Sequence, residues 1–193
     1  MKPDTTAEVD HLRETLVSRR TVFEGRLLRV HEDVVRLPGG STATREIVHH
    51  RGAVAIVAID DSRQVVLVRQ WRHAVEGAIW EIPAGTREDG EEPQRTALRE
   101  LAEETGYTAK RWRSLGVSCV SPGYSREMIW FYLAEGLTAG AVNTDQDELL
   151  DVRVVGPEEV HALVRRGEID CKTLAGLALA GLLPPLAPGE MPG

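Results

Sequence analysis

The stretch from Gly85 to Tyr107 restricts what this chain can fold into more than any other part of the sequence. It reads GTREDGEEPQRTALRELAEETGY. Pro93 is suited to the first turn of a helix, and Gly106 is suited to the left-handed backbone conformation that ends a helix. Between them, apolar residues recur at helical spacing and form a stripe that would face a core: Ala97, Leu98, Leu101 and Ala102. The pattern predicts a turn that leads into a short amphipathic helix.

Three carboxylates lie beside the apolar stripe of this predicted helix. At about 100° per residue, Glu100, Glu103 and Glu104 fall within a sector of roughly 100°. Arg99 can reach Glu103, but Glu100 and Glu104 are like charges at neighbouring helical positions, which costs a few tenths of a kcal/mol when they are unpaired. A bound Mg²⁺ or Mn²⁺ ion would reverse the sign of that cost. From the helix alone, a solvated helix face explains the three acids equally well.

The complete spacing is more specific than the helix. Gly85 is followed by five residues, Glu91, seven residues and then R-E-L-A-E-E-T-G-Y. This arrangement resembles the Nudix box, with Tyr107 as a bulky variant at the final position. From about Thr21 to Leu182 the chain is similar to the ADP-ribose pyrophosphatase branch, through R-Q-W-R, W-E-I-P-A-G and S-P-G around the box. The resemblance implies an α/β fold: a Nudix-type α/β/α sandwich with a mixed sheet.

The activity that this resemblance implies is metal-dependent hydrolysis of the pyrophosphate bond of ADP-ribose to AMP and ribose 5-phosphate. The cofactor is expected to be Mg²⁺, with Mn²⁺ as the alternative. Glu100 and Glu104 would be the principal metal ligands, Glu103 would share a second ion, and the backbone carbonyl of Ala84 would add a further ligand. Four other box residues are expected to brace the loop and helix: Gly85, Glu91, Arg99 and Gly106.

A general base is expected on a later loop rather than in the box. The acidic loop Asn143–Glu148 matches by position, and it precedes a predicted strand at Asp151–Val155. Glu148 is the first choice for the base and Asp147 is the second. A polar loop before a strand is the alternative explanation of these residues.

The substrate contacts are also expected from the resemblance. Arg45 and Arg72 match positions where relatives place phosphate-binding arginines, and the planar guanidinium fork suits bidentate phosphate contacts. Pro122 matches a proline that this branch carries beyond the box. Phe23 and Trp71 are both candidates for stacking on adenine, and buried core positions explain these two rings as well.

Composition limits the class of protein. At 193 residues, with 42% hydrophobic and 27% charged residues, the chain suits one compact enzyme. A net charge of −7 argues against non-specific nucleic-acid binding. No apolar run reaches the 18 or so residues that a membrane span needs. The amino terminus has no apolar signal core, and Cys119 and Cys171 are expected to be reduced thiols of a cytoplasmic protein.

The chain is expected to have four zones. Residues 1–20 form a polar extension, and residues 21–50 form a small amino-terminal antiparallel sheet with a turn at Pro38-Gly39-Gly40. Residues 51–183 form the catalytic domain, and residues 184–193 form a flexible Pro/Gly tail. The resemblance implies that the 21–50 region is a dimerisation arm of a homodimer.

Two other functions fit the same residues. One is a Nudix hydrolase of another nucleotide sugar, such as GDP-mannose or UDP-glucose. The other is a sensor that binds ADP-ribose without turnover. Such sensors tend to lose box acids, whereas this chain retains them.

Overall fold

The structure is a computed structural model that describes residues 7–140 and 149–183. The chain forms two compact units. The first contains the described chain up to Gly52 together with Val117–Ile129, and the second contains Ala53–Gly116 and the described chain from Trp130 onward.

The first unit contains a three-stranded antiparallel sheet, counted over its described residues. Its strands are β1 (Thr15–Glu24), β2 (Arg29–Arg36) and β3 (Thr42–His49), in the order β1-β2-β3. Gly40 has φ 89° in the turn between β2 and β3, a backbone conformation that glycine adopts without strain. The expected small antiparallel sheet is confirmed. Strand β1 begins at Thr15, so the sheet includes residues that the sequence analysis placed in the polar extension.

The second unit contains most of a sheet of seven strands, counted within the described chain. They are β4 (Ala53–Ile59), β5 (Val65–Arg72), β6 (Gly77–Glu81), β7 (Ala84–Thr86), β8 (Tyr107–Cys119), β9 (Met128–Ala139) and β10 (Asp151–Val155). The order is β10-β5-β4-β9-β8, with β6 beside β5 and β7 beside β4. The short strand β7 contains the glycine that opens the box, so the box begins on the sheet.

Helices cover both faces of this sheet, which explains why strand β4 is apolar throughout. Val54 and Ile56 belong to the same buried cluster as Ala97 and Leu101 of helix α1 (Pro93–Thr105). The alternate residue Val57 packs beside Gly176 of helix α3 (Cys171–Leu179) on the opposite face. Helix α2 (Pro157–Arg165) follows β10. The α/β/α sandwich around a mixed sheet, expected from the sequence, is confirmed.

Helix α1 begins and ends where the sequence predicts. Pro93 occupies its first turn, where the missing backbone N–H removes no helical hydrogen bond. Gly106 ends it with φ 71°, and its N–H donates to the carbonyl of Ala102 at 2.9 Å. Residues 87–92, between β7 and α1, are called the box loop below.

The helices of the described chain are all too short or too polar to span a membrane. The tail at residues 184–193 lies outside the described residues, so its expected flexibility stays a prediction.

Candidate metal centre

Two of the three box carboxylates are buried. Glu100 is 9% exposed and Glu104 is 3% exposed, whereas the side chain of Glu103 is 42% exposed. Burial of a carboxylate is costly unless other groups compensate its charge. An ordinary solvated helix face would leave all three in water. The structure therefore excludes that explanation for Glu100 and Glu104.

Gly85 is required by the close approach of Glu100. A Cβ atom added at Gly85 would overlap the carboxyl carbon and both carboxylate oxygens of Glu100. The backbone of Gly85 does not lie in the left-handed region, so lack of room, and not backbone conformation, excludes a side chain here. The strand β7 and helix α1 meet at this point.

The neighbouring residue Ala84 connects the same strand to the second buried acid. Its backbone N–H donates to Oε2 of Glu104 at 2.9 Å. Strand β7 also pairs with β4, where Ala84 lies opposite Ala55. Hydrogen bonds on the sheet therefore fix the backbone whose carbonyl was expected to bind metal.

A polar cavity of about 260 Å³ lies beside this junction. Its lining residues are Ala84, Gly85, Thr86, Glu88, Arg99, Glu100 and Glu103. Thr86 and Glu88 were not singled out from the sequence, because neither occupies a fixed position of the box. The cavity brings together five residues that were: Ala84, Gly85, Arg99, Glu100 and Glu103.

Arg99 gathers the carboxylates around this cavity. Its Nη1 atom lies 2.8 Å from a carboxylate oxygen of Glu100 and 2.8 Å from one of Glu103. On its other side, Nε and Nη2 donate to Glu91 at 3.3 and 3.2 Å. One guanidinium thus faces three carboxylates. This geometry supports the bracing role expected for Glu91 and Arg99, which stays a prediction.

The charges at Arg99 shift the pKa values of the groups around it. Hydrogen bonds from Arg99 lower the pKa of Glu91 to about 2, against the opposing effect of burial. Burial alone would lower the pKa of Arg99, but its hydrogen bond to Glu91, the charge of Glu100 and its contact with Glu103 raise the pKa above its ordinary value. Glu91 is therefore ionised at neutral pH, as an ion pair with Arg99 requires.

The donor set fits a divalent cation. Glu100, Glu103 and the backbone of Ala84 offer oxygen atoms, which Mg²⁺ and Mn²⁺ prefer. Across residues 7–140 and 149–183, no three acidic, histidine or cysteine side chains are already arranged to hold a metal ion. Glu100 and Glu103 contact Arg99, and Glu104 accepts a hydrogen bond from Ala84. Their contribution to a metal site therefore requires these side chains to adjust.

Arg72 ends strand β5 in a partly buried ion-pair cluster. Its Nε and Nη2 each lie 2.6 Å from an oxygen of Glu81, which is 2% exposed. Lys172 of helix α3 contacts the same carboxylate and also Asp170, the latter at 2.7 Å. Burial would raise the pKa of Glu81, but the hydrogen bonds and charges of Arg72 and Lys172 lower it. The expected phosphate contact of Arg72 stays a prediction.

The other expected substrate residues are not part of this cavity. Arg45, on β3 of the first unit, pairs with Glu14 at 2.5 Å. Pro122 lies in an exposed turn of the first unit. Phe23 and Trp71 are 56% and 61% exposed, so neither is a core ring. Glu148 and Asp147, the candidates for the base, lie outside the described residues.

Sequence reasoning missed Glu81, Lys172 and Arg87. Glu81 had a signal, since it is a lone charge in the otherwise apolar segment Ile79–Pro83. Lys172 and Arg87 had none, because their contacts are with residues that the local pattern does not indicate.

Comparison with known proteins agrees with the geometry of the box. Residues 49–173 match the model of the NUDIX domain. The chain belongs to the Nudix domain family. Residues 14–48 match a second model, the nucleoside diphosphate sugar hydrolase N-terminal domain.

Curated relatives of this Nudix protein resemble it over most of its length. An ADP-ribose pyrophosphatase of Bacillus subtilis is 41% identical, and the aligned region covers 84% of this chain and 89% of the relative. A methanol dehydrogenase activator of Bacillus methanolicus is also 41% identical, with 83% and 89% covered. An ADP-ribose pyrophosphatase of Mycobacterium tuberculosis is 40% identical, with 86% and 80% covered.

The fold of this Nudix protein is also found among solved structures. A crystal structure named as an ADP compounds hydrolase superposes with a TM-score of 0.78 at 23% identity. The superposition covers 88% of this chain and 94% of the chain in that structure. At this identity the comparison supports the fold alone.

Replacing Gly85 by alanine should weaken metal binding. The new Cβ would occupy the position of the Glu100 carboxylate, which must then move. We expect Mn²⁺ binding, measured by electron paramagnetic resonance, to weaken by about tenfold or more, the scale seen when residues that support a ligand are removed. Gly77→Ala is the control, since its Cβ meets only the Val75 carbonyl, at 3.6 Å. Equal Mn²⁺ binding by the two variants would contradict the prediction.

The Glu91–Arg99 pair should stabilise the protein in a pH-dependent way. The pKa of Glu91 is about 2 in the folded protein and 4.5 ordinarily, so its stabilisation is complete above the higher value and is lost as the pH falls towards the lower one. The deficit of Glu91→Gln in the free energy of unfolding should therefore be largest near neutral pH and shrink below pH 4.5. Urea unfolding between pH 3 and about pH 7 measures it, with Glu92→Gln as control. A deficit that does not change with pH would refute this assignment.

Proposed function

We propose that this protein hydrolyses the pyrophosphate bond of ADP-ribose to AMP and ribose 5-phosphate in a reaction that depends on a divalent metal. The observation that carries the proposal is the cavity beside Gly85, where Glu100 and Glu103 face Arg99. The Nudix family membership supports the reaction class. Two relatives named ADP-ribose pyrophosphatase, each about two-fifths identical over most of the chain, support the substrate.

The metal would be held by residues already near the cavity. We assign Glu100 and Glu104 as the principal ligands, Glu103 as a shared ligand and Ala84 as a ligand through its carbonyl, with Mg²⁺ as the first choice and Mn²⁺ as the second. A bound divalent ion neutralises phosphate charge and lowers the pKa of a water molecule. Arg99 holds two of these carboxylates near each other before the ion binds.

The chain must also supply a general base and phosphate contacts. Glu148 is proposed as the base and Asp147 as the alternative, because a base must lie near the attacking water with a pKa suited to neutral pH. Arg72 and Arg45 are proposed to bind phosphate, and Pro122 to line the substrate site. Arg72 is held at the end of β5 by Glu81, with its side chain 41% exposed, which leaves part of the guanidinium accessible.

A second copy of this chain is proposed to cover strand β1. All ten residues of β1 are exposed. Four of them are large and apolar: Leu16, Val17, Val22 and Phe23, at 50%, 49%, 46% and 56% exposure. An exposed apolar edge strand is a liability in a monomer. We therefore propose a homodimer, with a cytoplasmic location in which the free thiols Cys119 and Cys171 stay reduced.

A substrate panel tests the proposed function directly. With Mg²⁺, ADP-ribose should give AMP and ribose 5-phosphate with a kcat/KM at least about tenfold above GDP-mannose, UDP-glucose and NADH, a difference of about 1.4 kcal/mol in transition-state stabilisation. EDTA should abolish the reaction, because the carboxylates alone cannot neutralise phosphate charge. Both effects are measured by separating and quantifying the released products by chromatography. A faster reaction with GDP-mannose or UDP-glucose would replace the substrate assignment, and binding of ADP-ribose without turnover would indicate a sensor.

Replacing Glu148 by glutamine tests the base. Removing a general base should lower kcat by about 100-fold or more while Mn²⁺ binding stays unchanged. Glu158→Gln, at an exposed position of α2, is the control. A fall of less than tenfold with metal binding intact would mean that the base lies elsewhere, and Asp147→Asn would then be compared in the same assay.

A further inference from the structure

Arg87 lies against an aromatic ring next to the box loop. Its guanidinium carbon is 4.6 Å from the centre of the Trp130 ring, within the range of a cation–π contact. Trp130 is on β9 and packs, half-buried, against the core cluster that contains Val54 and Leu101. The ring is therefore a fixed platform, unlike the flexible side chains of the surface.

The same guanidinium also binds the other end of the box loop. Nε of Arg87 donates to the backbone carbonyl of Glu91 at 3.1 Å, and Nη2 donates to the same oxygen. The backbone N–H of Glu88 donates to the Glu91 carboxylate at 3.1 Å. The loop is thus closed on itself, and its closed form is attached to the sheet through Trp130.

Glu91 connects this loop to the candidate metal ligands. Its carboxylate accepts from Arg99, and Nη1 of Arg99 contacts both Glu100 and Glu103. A continuous series of contacts therefore leads from Trp130 through Arg87, Glu91 and Arg99 to the two carboxylates. Arg87 occupies a variable position of the box spacing, so the Nudix pattern itself does not require it.

We infer that the Arg87–Trp130 stack is a positioning device. It holds the box loop in the conformation in which Glu91 binds Arg99, so that Arg99 stays in place beside Glu100 and Glu103. Arg87 and Trp130 are positioning residues, since neither reaches the carboxylates itself. Replacing Arg87 removes two donors to the Glu91 carbonyl, and replacing Trp130 removes the ring that holds those donors in place. In either case the loop gains freedom that metal binding must remove again. Preorganisation of this kind raises affinity by lowering the entropy cost of binding. The inference rests on the metal ligands assigned under the proposed function.

The test uses the full chain and Mn²⁺ alone as the probe. Arg87→Ala and Trp130→Leu each remove one half of the stack, whereas Trp130→Phe keeps an aromatic ring. Arg95→Ala is the matched control, because it removes an exposed arginine from the first turn of α1 with the same change in charge. Mn²⁺ affinity comes from electron paramagnetic resonance titration, and thermal unfolding of every variant shows that the fold is retained.

We expect Arg87→Ala and Trp130→Leu each to weaken Mn²⁺ binding by about fivefold, which corresponds to about 1 kcal/mol. The double variant should bind no more weakly than the weaker single variant, because each change removes the same contact. Trp130→Phe and Arg95→Ala should bind like the unmodified protein, and kcat at saturating metal should change little in all variants.

Two results would overturn the inference: Mn²⁺ binding by Arg87→Ala equal to that of Arg95→Ala, or single effects that multiply in the double variant. If Trp130→Leu does not fold, the comparison of Mn²⁺ affinity between Arg87→Ala and Arg95→Ala still tests the inference. The proposed function fails separately, since an unmodified protein that binds Mn²⁺ but does not hydrolyse ADP-ribose would refute the substrate and leave these titrations valid. An unmodified protein that does not bind Mn²⁺ would refute the ligand assignment and this inference together.

Discussion

The candidate site depends on the contact between Gly85 and the Glu100 carboxylate. A strand and a helix can meet this closely only where one of them has no side chain. The contact places a buried acid against the backbone of β7, beside the N–H that Ala84 donates to Glu104. Because β7 also pairs with β4, the sheet and not a loop fixes the position of the acids. Sites on regular elements are held more accurately than sites on loops.

Charge balance around Arg99 explains why such a site is suited to cations. Three carboxylates contact one guanidinium, so these four groups together carry excess negative charge. Burial of Glu100 strengthens every electrostatic interaction there, because water screens the charges less. Arg99 compensates part of this charge, which lowers the cost of burying Glu100. The excess negative charge makes the electrostatic potential of the cavity favourable for a cation. The same potential is unfavourable for an anion that is not accompanied by a cation.

The parts of this protein that could be predicted from the sequence are those set by local spacing. The bounds of α1, its end at Gly106 and the proximity of the box acids follow from helical periodicity and from one glycine. The start of β1 at Thr15 could not be predicted, because Ser18, Arg19 and Arg20 interrupt its apolar residues and the strand is defined by pairing with β2. The contacts of Glu81 with Lys172 and of Arg87 with Trp130 join residues far apart in the chain. Only the folded topology brings such residues together.

Helix α3 lies at the far end of the chain, yet it holds the segment that leads into the box. Thr173 accepts a hydrogen bond from the backbone N–H of Ile82 at 3.0 Å, and Lys172 contacts Glu81 one residue earlier. Gly176 permits the same helix to approach Ile82 and Val57 closely. The cavity and its support are therefore assembled from opposite faces of one sheet. During synthesis, Glu81 and Ile82 stay without these partners until the chain has grown by 91 residues, well after the box itself has been made.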